Sequence, residues 1–456
     1  MSGRSIKEFL QNRPIYYKKI DYERFPRAYA AIKDKIPLKN VIQIIGTNGK
    51  GSTGRFLANA IAEAGFNVGH YTSPHVFRLN ERIYLAGPTD KRLNSRELNL
   101  DHNSKQCLNL NCGSDELNFI CDSNSPSKPN LNQSSSELAK QNFKSAPIGR
   151  DVSDAQLQRA HEFLQASLPA EFKDSLSYFE YLTLAAAVLF RDCDYCVIEA
   201  GMGGEFDATS SFGRTLSLFT PIGTDHLGML GQNLEQIAHT KLITMDKEAI
   251  LSDEMSEVPL RIARQIAEQK GTHLRFAAEL LNKSEQAQIA EFCAHNNLPK
   301  FQISNLALAL AAMKFLNLKF EISQLPPLNL RGRMETLAPN LRVDVGHNEL
   351  AAQQVAREIT EIYGGKKIVL IYNAFADKDV VAVLRALAPV VERVEIFNYE
   401  VADREMAAEE ITRALDALKI PHSPFCGELR ADEEYLVFGS FHLVENFILW
   451  LEARRG

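Results

Sequence analysis

The residues with the most chemistry in this chain sit in one stretch, Val41-Ile42-Gln43-Ile44-Ile45-Gly46-Thr47-Asn48-Gly49-Lys50-Gly51-Ser52-Thr53. The β-branched run around Gln43 predicts a short strand covered on both faces. Gly46, Gly49 and Gly51 permit a tight backbone path that aims successive N–H groups of Thr47, Asn48 and their neighbours at one point. A helix predicted over about 52–64 adds its N-terminal dipole to the same focus. Lys50 brings a full positive charge to phosphate oxygens, and the Ser52 or Thr53 hydroxyl suits a Mg²⁺ ion. Strand, glycine turn, lysine, hydroxyls and helix together read as a cradle for a nucleoside triphosphate. The spacing departs from G-x-x-x-x-G-K-[ST], because Gly51 stands between Lys50 and Ser52.

Further candidates follow at the ends of predicted strands. A strand over 66–71 runs into Thr72-Ser73-Pro74-His75. Strand, helix and strand within about 30 residues make a βαβ unit, which requires a parallel sheet. Ligands of such sheets collect beyond the carboxyl ends of the strands. If the two strands are neighbours, Ser73 and His75 fall beside the glycine loop. Tyr195-Cys196-Val197-Ile198-Glu199 is a third strand, ending on an acidic residue where a Mg²⁺ ligand belongs. Asp225-His226 follows a strand over 215–220, and a helix over 234–241 brings Lys241 back to the same rim.

Length and composition bound the elements that must hold these groups. A chain of 456 residues predicts two or three domains, at roughly 150 residues each. Hydrophobic content of 45% supplies a sizeable core. The net charge of −6 argues against nucleic acid or an anionic membrane as the main partner. No stretch reaches the roughly 18 continuous apolar residues of a membrane span, and residues 1–13 are too polar for a secretory signal, so the expected location is cytoplasmic. Cys193-x-x-Cys196 lacks a second cysteine pair for zinc and reads as buried thiols at a strand start. Cys107, Cys112 and Cys121 lie in a stretch rich in Asn, Ser, Lys and Gln, about 90–150, which reads as a disordered insertion. Pro326-Pro327 marks a linker. The expected fold class is α/β: a P-loop-type, mostly parallel sheet domain over 1–326, then a smaller Rossmann-like α/β domain over 327–456, with a cleft between them.

The ordered motifs Gly46-Thr47-Asn48-Gly49-Lys50-Gly51-Ser52, Thr72-Ser73-Pro74-His75, Glu199-Ala200-Gly201-Met202-Gly203-Gly204, Asp207-Ala208-Thr209 and Asp225-His226 resemble folylpolyglutamate synthase and dihydrofolate synthase, which are Mur-type amide ligases. Gly332-Arg333-Met334-Glu335, Asp344-Val345-Gly346-His347-Asn348 and Asp377-Lys378-Asp379 extend the resemblance through the second half. It covers nearly the whole chain outside 90–150.

The resemblance implies an ATP-dependent ligase joining L-glutamate to a pteroyl carboxylate, either dihydropteroate or a folate, in a monomeric enzyme that needs Mg²⁺, two ions in all. Lys50 would contact the β- and γ-phosphates, and Ser73, Glu199 and His226 match Mg²⁺ ligands. Lys241 matches a lysine carried as a carbamate, within Thr240-Lys241-Leu242-Ile243 where the family commonly has Glu-Lys-Ala-Gly. Arg333 and Asp344 match positions that contact ATP, and Asn305 one near adenine. His347 and Asn348 match positions near the nucleotide and the incoming glutamate; Lys378 and Ser440 are weaker candidates. His75, Arg82, Phe179 and Phe77 fall on the pterin side, and Glu180 matches the second half of a Phe-Glu pair. Two rivals remain at this stage: a Mur-type ligase acting on a peptidoglycan precursor, and a regulator that binds ATP without catalysis. Gly51 argues against the first, since cell-wall ligases usually have Thr directly after the lysine. The intact Ser73, Glu199 and His226 set argues against the second.

Overall fold

A computed structural model describes residues 5–14, 21–88, 149–401 and 404–455. The first half of the chain builds an eight-stranded sheet from β1 (Val41–Ile45), β2 (Val68–Tyr71), β3 (Ile83–Ala86), β4 (Gly149–Asp151), β5 (Tyr195–Glu199), β6 (Leu216–Phe219), β7 (Glu248–Leu251) and β8 (His273–Phe276). Their order is β4-β3-β2-β5-β1-β6-β7-β8. All neighbours are parallel except β2–β3 and β3–β4, which add an antiparallel edge. β1 is buried along its whole length, as its apolar run demands of a central strand.

The strand order corrects one expectation. β1 and β2 are not neighbours, because β5 lies between them and pairs with both. Ser73, at the end of β2, is therefore beside Glu199 at the end of β5 and only through it beside the glycine loop. The sequence reading also omits β8 and the helix Lys283–His295. β8 has no fully buried residue and contains His273 and Arg275, so it carries no strand-like apolar signal.

The second sheet contains β9 (Glu335–Ala338), β10 (Leu341–Asp344), β11 (Ile368–Tyr372), β12 (Val391–Ile396), β13 (His422–Pro424) and β14 (Tyr435–Phe438), ordered β13-β12-β11-β14-β10-β9. Only β9–β10 is antiparallel. Alternation along β11 sends Leu370 and Tyr372 into a core with Val355 and Leu384, while Ile371 enters a second core with Val343 and Phe447. Helices thus cover both faces, as a parallel sheet requires. Here each sheet with its helices is called a lobe; every strand of the first precedes Pro326 and every strand of the second follows Pro327. The described residues fall in one compact unit.

The stretch read as an insertion, with Cys107, Cys112 and Cys121, lies outside the described residues. Cys193 and Cys196 are free and buried, as read from their spacing. Among the described residues no helix is long and apolar enough to cross a membrane.

Candidate active site

β1 delivers the glycine loop, and the helix Lys50–Glu63 begins at Lys50 with Gly49 as its N-cap at φ +88°. That left-handed backbone favours glycine, and a Cβ there would lie 2.3 Å from Asn305 Oδ1. Thr47 pins the loop to the segment after β6: its N–H donates to the Pro221 carbonyl (3.0 Å) and its hydroxyl to that of Gly223 (3.0 Å). From behind, the buried helix Phe301–Phe315 braces the loop. Gln302 Nε2 donates to Ser52 Oγ (3.2 Å), and Asn305 Nδ2 donates to Gln302 Oε1 (2.9 Å). Of the two candidate hydroxyls, Ser52 lines the cavity, while Thr53 is buried and donates to Asn305 Oδ1 at 3.5 Å.

The cavity is lined by both lobes. Thr47, Asn48, Gly49, Lys50, Gly51, Ser52, Ser73, Glu199, His226, Asn305, Arg333, Asp344 and His347 all reach it. Glu199 is buried, and burial pushes its carboxyl up against the pull of Lys50, whose Nζ lies 3.8 Å from Oε1. The Thr72 hydroxyl donates to Oε2, and the Ser73 N–H approaches the same oxygen at 3.4 Å. Burial holds the His226 imidazole down to about 4, with Asp225 opposing, so the ring is neutral near pH 7 and keeps a nitrogen lone pair.

Among the described residues no cluster of three or more His, Cys, Asp and Glu side chains could hold a metal ion. The Ser73, Glu199 and His226 set relies on a hydroxyl for its third member. Its chemistry fits Mg²⁺ in being mainly oxygen, with one buried carboxylate and neutral partners.

Lys241, in the helix Leu234–Leu242, is buried beneath the loop and donates from Nζ to the Gly46 carbonyl at 3.1 Å. Lys50 Nζ donates to the same carbonyl at 3.2 Å. Burial, and then the neighbouring Lys50 charge, lower the Lys241 amine to about 7. A lysine in that state is a nucleophile at neutral pH.

The second lobe presents Arg333, Asp344 and His347. Asp344 ends β10 and shapes the rim, accepting from the Met334 N–H (2.9 Å) and the Gly346 N–H (2.7 Å). His347 Nδ1 donates to the Val345 carbonyl at 3.1 Å, which turns Nε2 towards Asp225 Oδ2 at 3.4 Å. Asn348 caps the helix Glu349–Tyr363 by accepting from the Ala351 N–H (3.0 Å), and its amide pairs with that of Asn48 at 3.0 Å.

With this geometry in view, comparison with known proteins decides the family. No protein-family model matches the chain. It is 27% identical to the dihydrofolate synthase/folylpolyglutamate synthase of Escherichia coli (strain K12), across 98% of this chain and 95% of that protein. The crystal structure of Helicobacter pylori folylpolyglutamate synthetase superposes with a TM-score of 0.68 at 33% identity, covering 99% of this chain and 100% of that one. The chain belongs to the folylpolyglutamate synthase/dihydrofolate synthase family. A third relative, a bifunctional folylpolyglutamate synthase/dihydrofolate synthase from Yersinia pestis complexed with AMPPNP and Mn ion, shares the fold at 20% identity and a TM-score of 0.71, covering 99% of this chain and 100% of that one.

Within this folylpolyglutamate synthase fold, the residues expected on the pterin side divide. Arg82 Nε donates to His75 Nδ1 at 2.7 Å, and the guanidinium lies 5.3 Å from the Tyr178 ring. Burial and the Arg82 charge hold the His75 imidazole down to about 3. Phe179 packs on Gly201, directly after the Glu199 strand, and against Tyr71 at 5.9 Å. Phe77 instead packs with Val76 on the core of the second lobe, under Arg331. Glu180 closes a capping box with Ser177 and pairs with Arg24 at 2.8 Å. Ser440 Oγ accepts from the Leu443 N–H (3.0 Å) and bonds the Tyr399 hydroxyl (3.0 Å). Gln302 as a brace and Asp225 as more than a motif neighbour emerge only from the structure; the i, i+3 spacing of Gln302 and Asn305 is a signal that could have found the first.

Proposed function

We infer that the protein is an ATP-dependent ligase that joins the amino group of L-glutamate to a pteroyl carboxylate. A carboxylate does not condense with an amine in water, because its leaving group is oxide. Attack of a carboxylate oxygen on the γ-phosphorus of ATP forms an acyl phosphate and releases ADP. The glutamate amine then attacks the carbonyl carbon, the C–O bond to phosphate breaks, and the amine proton passes to solvent or a base. Such a route asks the protein for charge neutralisation and alignment more than for covalent chemistry.

The observation that carries this reading is the convergence of Lys50, Glu199, His226 and Arg333, from both lobes, on one cavity. In this reading Lys50 and the loop N–H groups neutralise the triphosphate, and Arg333 approaches it from the second lobe. Ser73, Glu199 and His226 would hold Mg²⁺, which spreads the charge developing on the phosphate oxygens. Lys241 would add CO₂ through its neutral amine, losing a proton and turning a buried cation into an anion. That inversion removes the repulsion between two ammonium groups sharing the Gly46 carbonyl. His347 would act beside the nucleotide and the incoming amine. Asn305 and Asn348 support the cavity wall through the bonds described above, and His75, Arg82 and Phe179 form the face offered to the pteroyl group.

The division into domains would fall at Leu325-Pro326-Pro327. Free buried thiols at Cys193, Cys196 and Cys293 support a reducing, cytoplasmic location, and a monomer suffices for a cavity built from one chain.

Purified protein supplied with ATP and glutamate should be assayed in parallel with dihydropteroate, tetrahydrofolate and a nucleotide-sugar cell-wall precursor. The reading expects an amide product of one added glutamate with a pteroyl acceptor. Product only with the cell-wall precursor would move the protein to the other ligase class, and hydrolysis without any acceptor would end the ligase reading.

A further inference from the structure

Two loops that close the cavity from opposite lobes meet on one carboxylate, that of Asp225. Its Oδ1 accepts from Lys378 Nζ at 2.8 Å, and its Oδ2 stands 3.4 Å from His347 Nε2 and 3.5 Å from Asn348 Nδ2. Lys378, His347 and Asn348 all belong to the second lobe, whereas Asp225 follows β6 of the first. The Lys378 and Asp225 side chains are only 8% and 10% exposed, so this is not a solvated surface pair. Lys378 has a second acidic neighbour, Asp377 at 3.9 Å, but that carboxylate is taken by Arg404 at 2.5 Å. The Asn48–Asn348 amide pair makes a second bridge of the same direction, from the glycine loop to the helix cap.

We propose that Asp225 is a positioning residue that latches the second lobe onto the loop after β6, holding His347 at the cavity wall and Lys378 against the Asp225 carboxylate. It acts through the two side chains that it orients, Lys378 and His347. The proposal rests on the ligase reading for its kinetic consequence, but the latch itself is a statement about the contact between lobes. Truncating one member of a buried, hydrogen-bonded charge pair leaves the other unpaired and free to move. A shift of about 1 Å in a catalytic group is enough to cost about a hundredfold in rate.

The test uses full-length Asp225→Asn, Lys378→Met and the double variant, with Asp225→Glu as the conservative control. Hydrogen exchange over residues 223–231 and 374–379 should quicken in both single variants, and no further in the double. In the same preparations kcat should fall about a hundredfold while KM for ATP holds within about threefold. Asp225→Glu should recover most of the exchange protection. Exchange unchanged in Asp225→Asn would overturn the latch, as would rate losses that multiply in the double variant. Recovery of Asp225→Asn at raised Mg²⁺ would also overturn it, since the residue would then act through the metal beside His226. A wild-type protein without ligase activity would refute the ligase reading, while the exchange measurement would still judge the latch.

Discussion

Lys50 and Glu199 face each other at 3.8 Å on the wall of the cavity, each arriving from a different strand end of the same sheet. Glu199 is buried and Lys50 half-buried, so neither charge is easily replaced by water. Lys50→Ala and Glu199→Ala should each lower turnover by about 10²–10³-fold or more, as loss of a preorganised electrostatic contact does, with the melting curve still cooperative; near-normal turnover in either would remove that residue's role. Lys241 offers a second check. At about pH 7 its amine is near half neutral, and carbamate formation needs the neutral form. Carbon dioxide-depleted enzyme should lose activity and regain it on adding bicarbonate, more fully at about pH 8 than at about pH 6, whereas Lys241→Arg should not respond. His75 gives a stability test with a definite sign. Its folded value of about 3 lies below the ordinary 6.5, so the unfolded chain binds more protons below 6.5. Stability from this residue is present above that value and is lost as pH falls from 6.5 towards 3. His75→Gln, which keeps an acceptor for Arg82, should therefore show a shallower fall in Tm across that window than the wild type and the same pH dependence above it.

At the scale of elements, the glycine loop was legible because its chemistry is contiguous: an apolar strand, glycines, a lysine and a helix start. Gly49 is the position where the geometry is least forgiving, since φ +88° and the Asn305 contact both exclude a side chain. Gly49→Ala should cost about 1–3 kcal/mol of stability and weaken binding of a non-hydrolysable ATP analogue; titration calorimetry and denaturant unfolding check both, and unchanged values would mean the loop is softer than described. The strand order was not legible. Nothing local in Tyr195–Glu199 says that it inserts between β1 and β2, because neighbour choice is settled by packing across more than a hundred intervening residues. β8 escaped notice for a different reason: one exposed and three half-buried residues, two of them basic, lack the alternation that reports a strand.

At the scale of the whole molecule, the two lobes complete one site that neither holds alone. Lys50, Ser73, Glu199 and His226 come from the first, Arg333, Asp344 and His347 from the second. The sequence motifs identified these residues singly, through resemblance, but the contacts joining the lobes pair residues far apart in the chain. Asp225 and Lys378 are 153 residues apart, and Asn48 and Asn348 are 300 apart. Periodicity and spacing carry no information about such pairs. The central claim is that the cavity activates an acid by phosphorylating it, and oxygen transfer tests that most directly. A pteroyl substrate labelled with ¹⁸O in its reacting carboxylate should give inorganic phosphate carrying one labelled oxygen for each amide formed. Phosphate released without label, alongside amide product, would contradict the account.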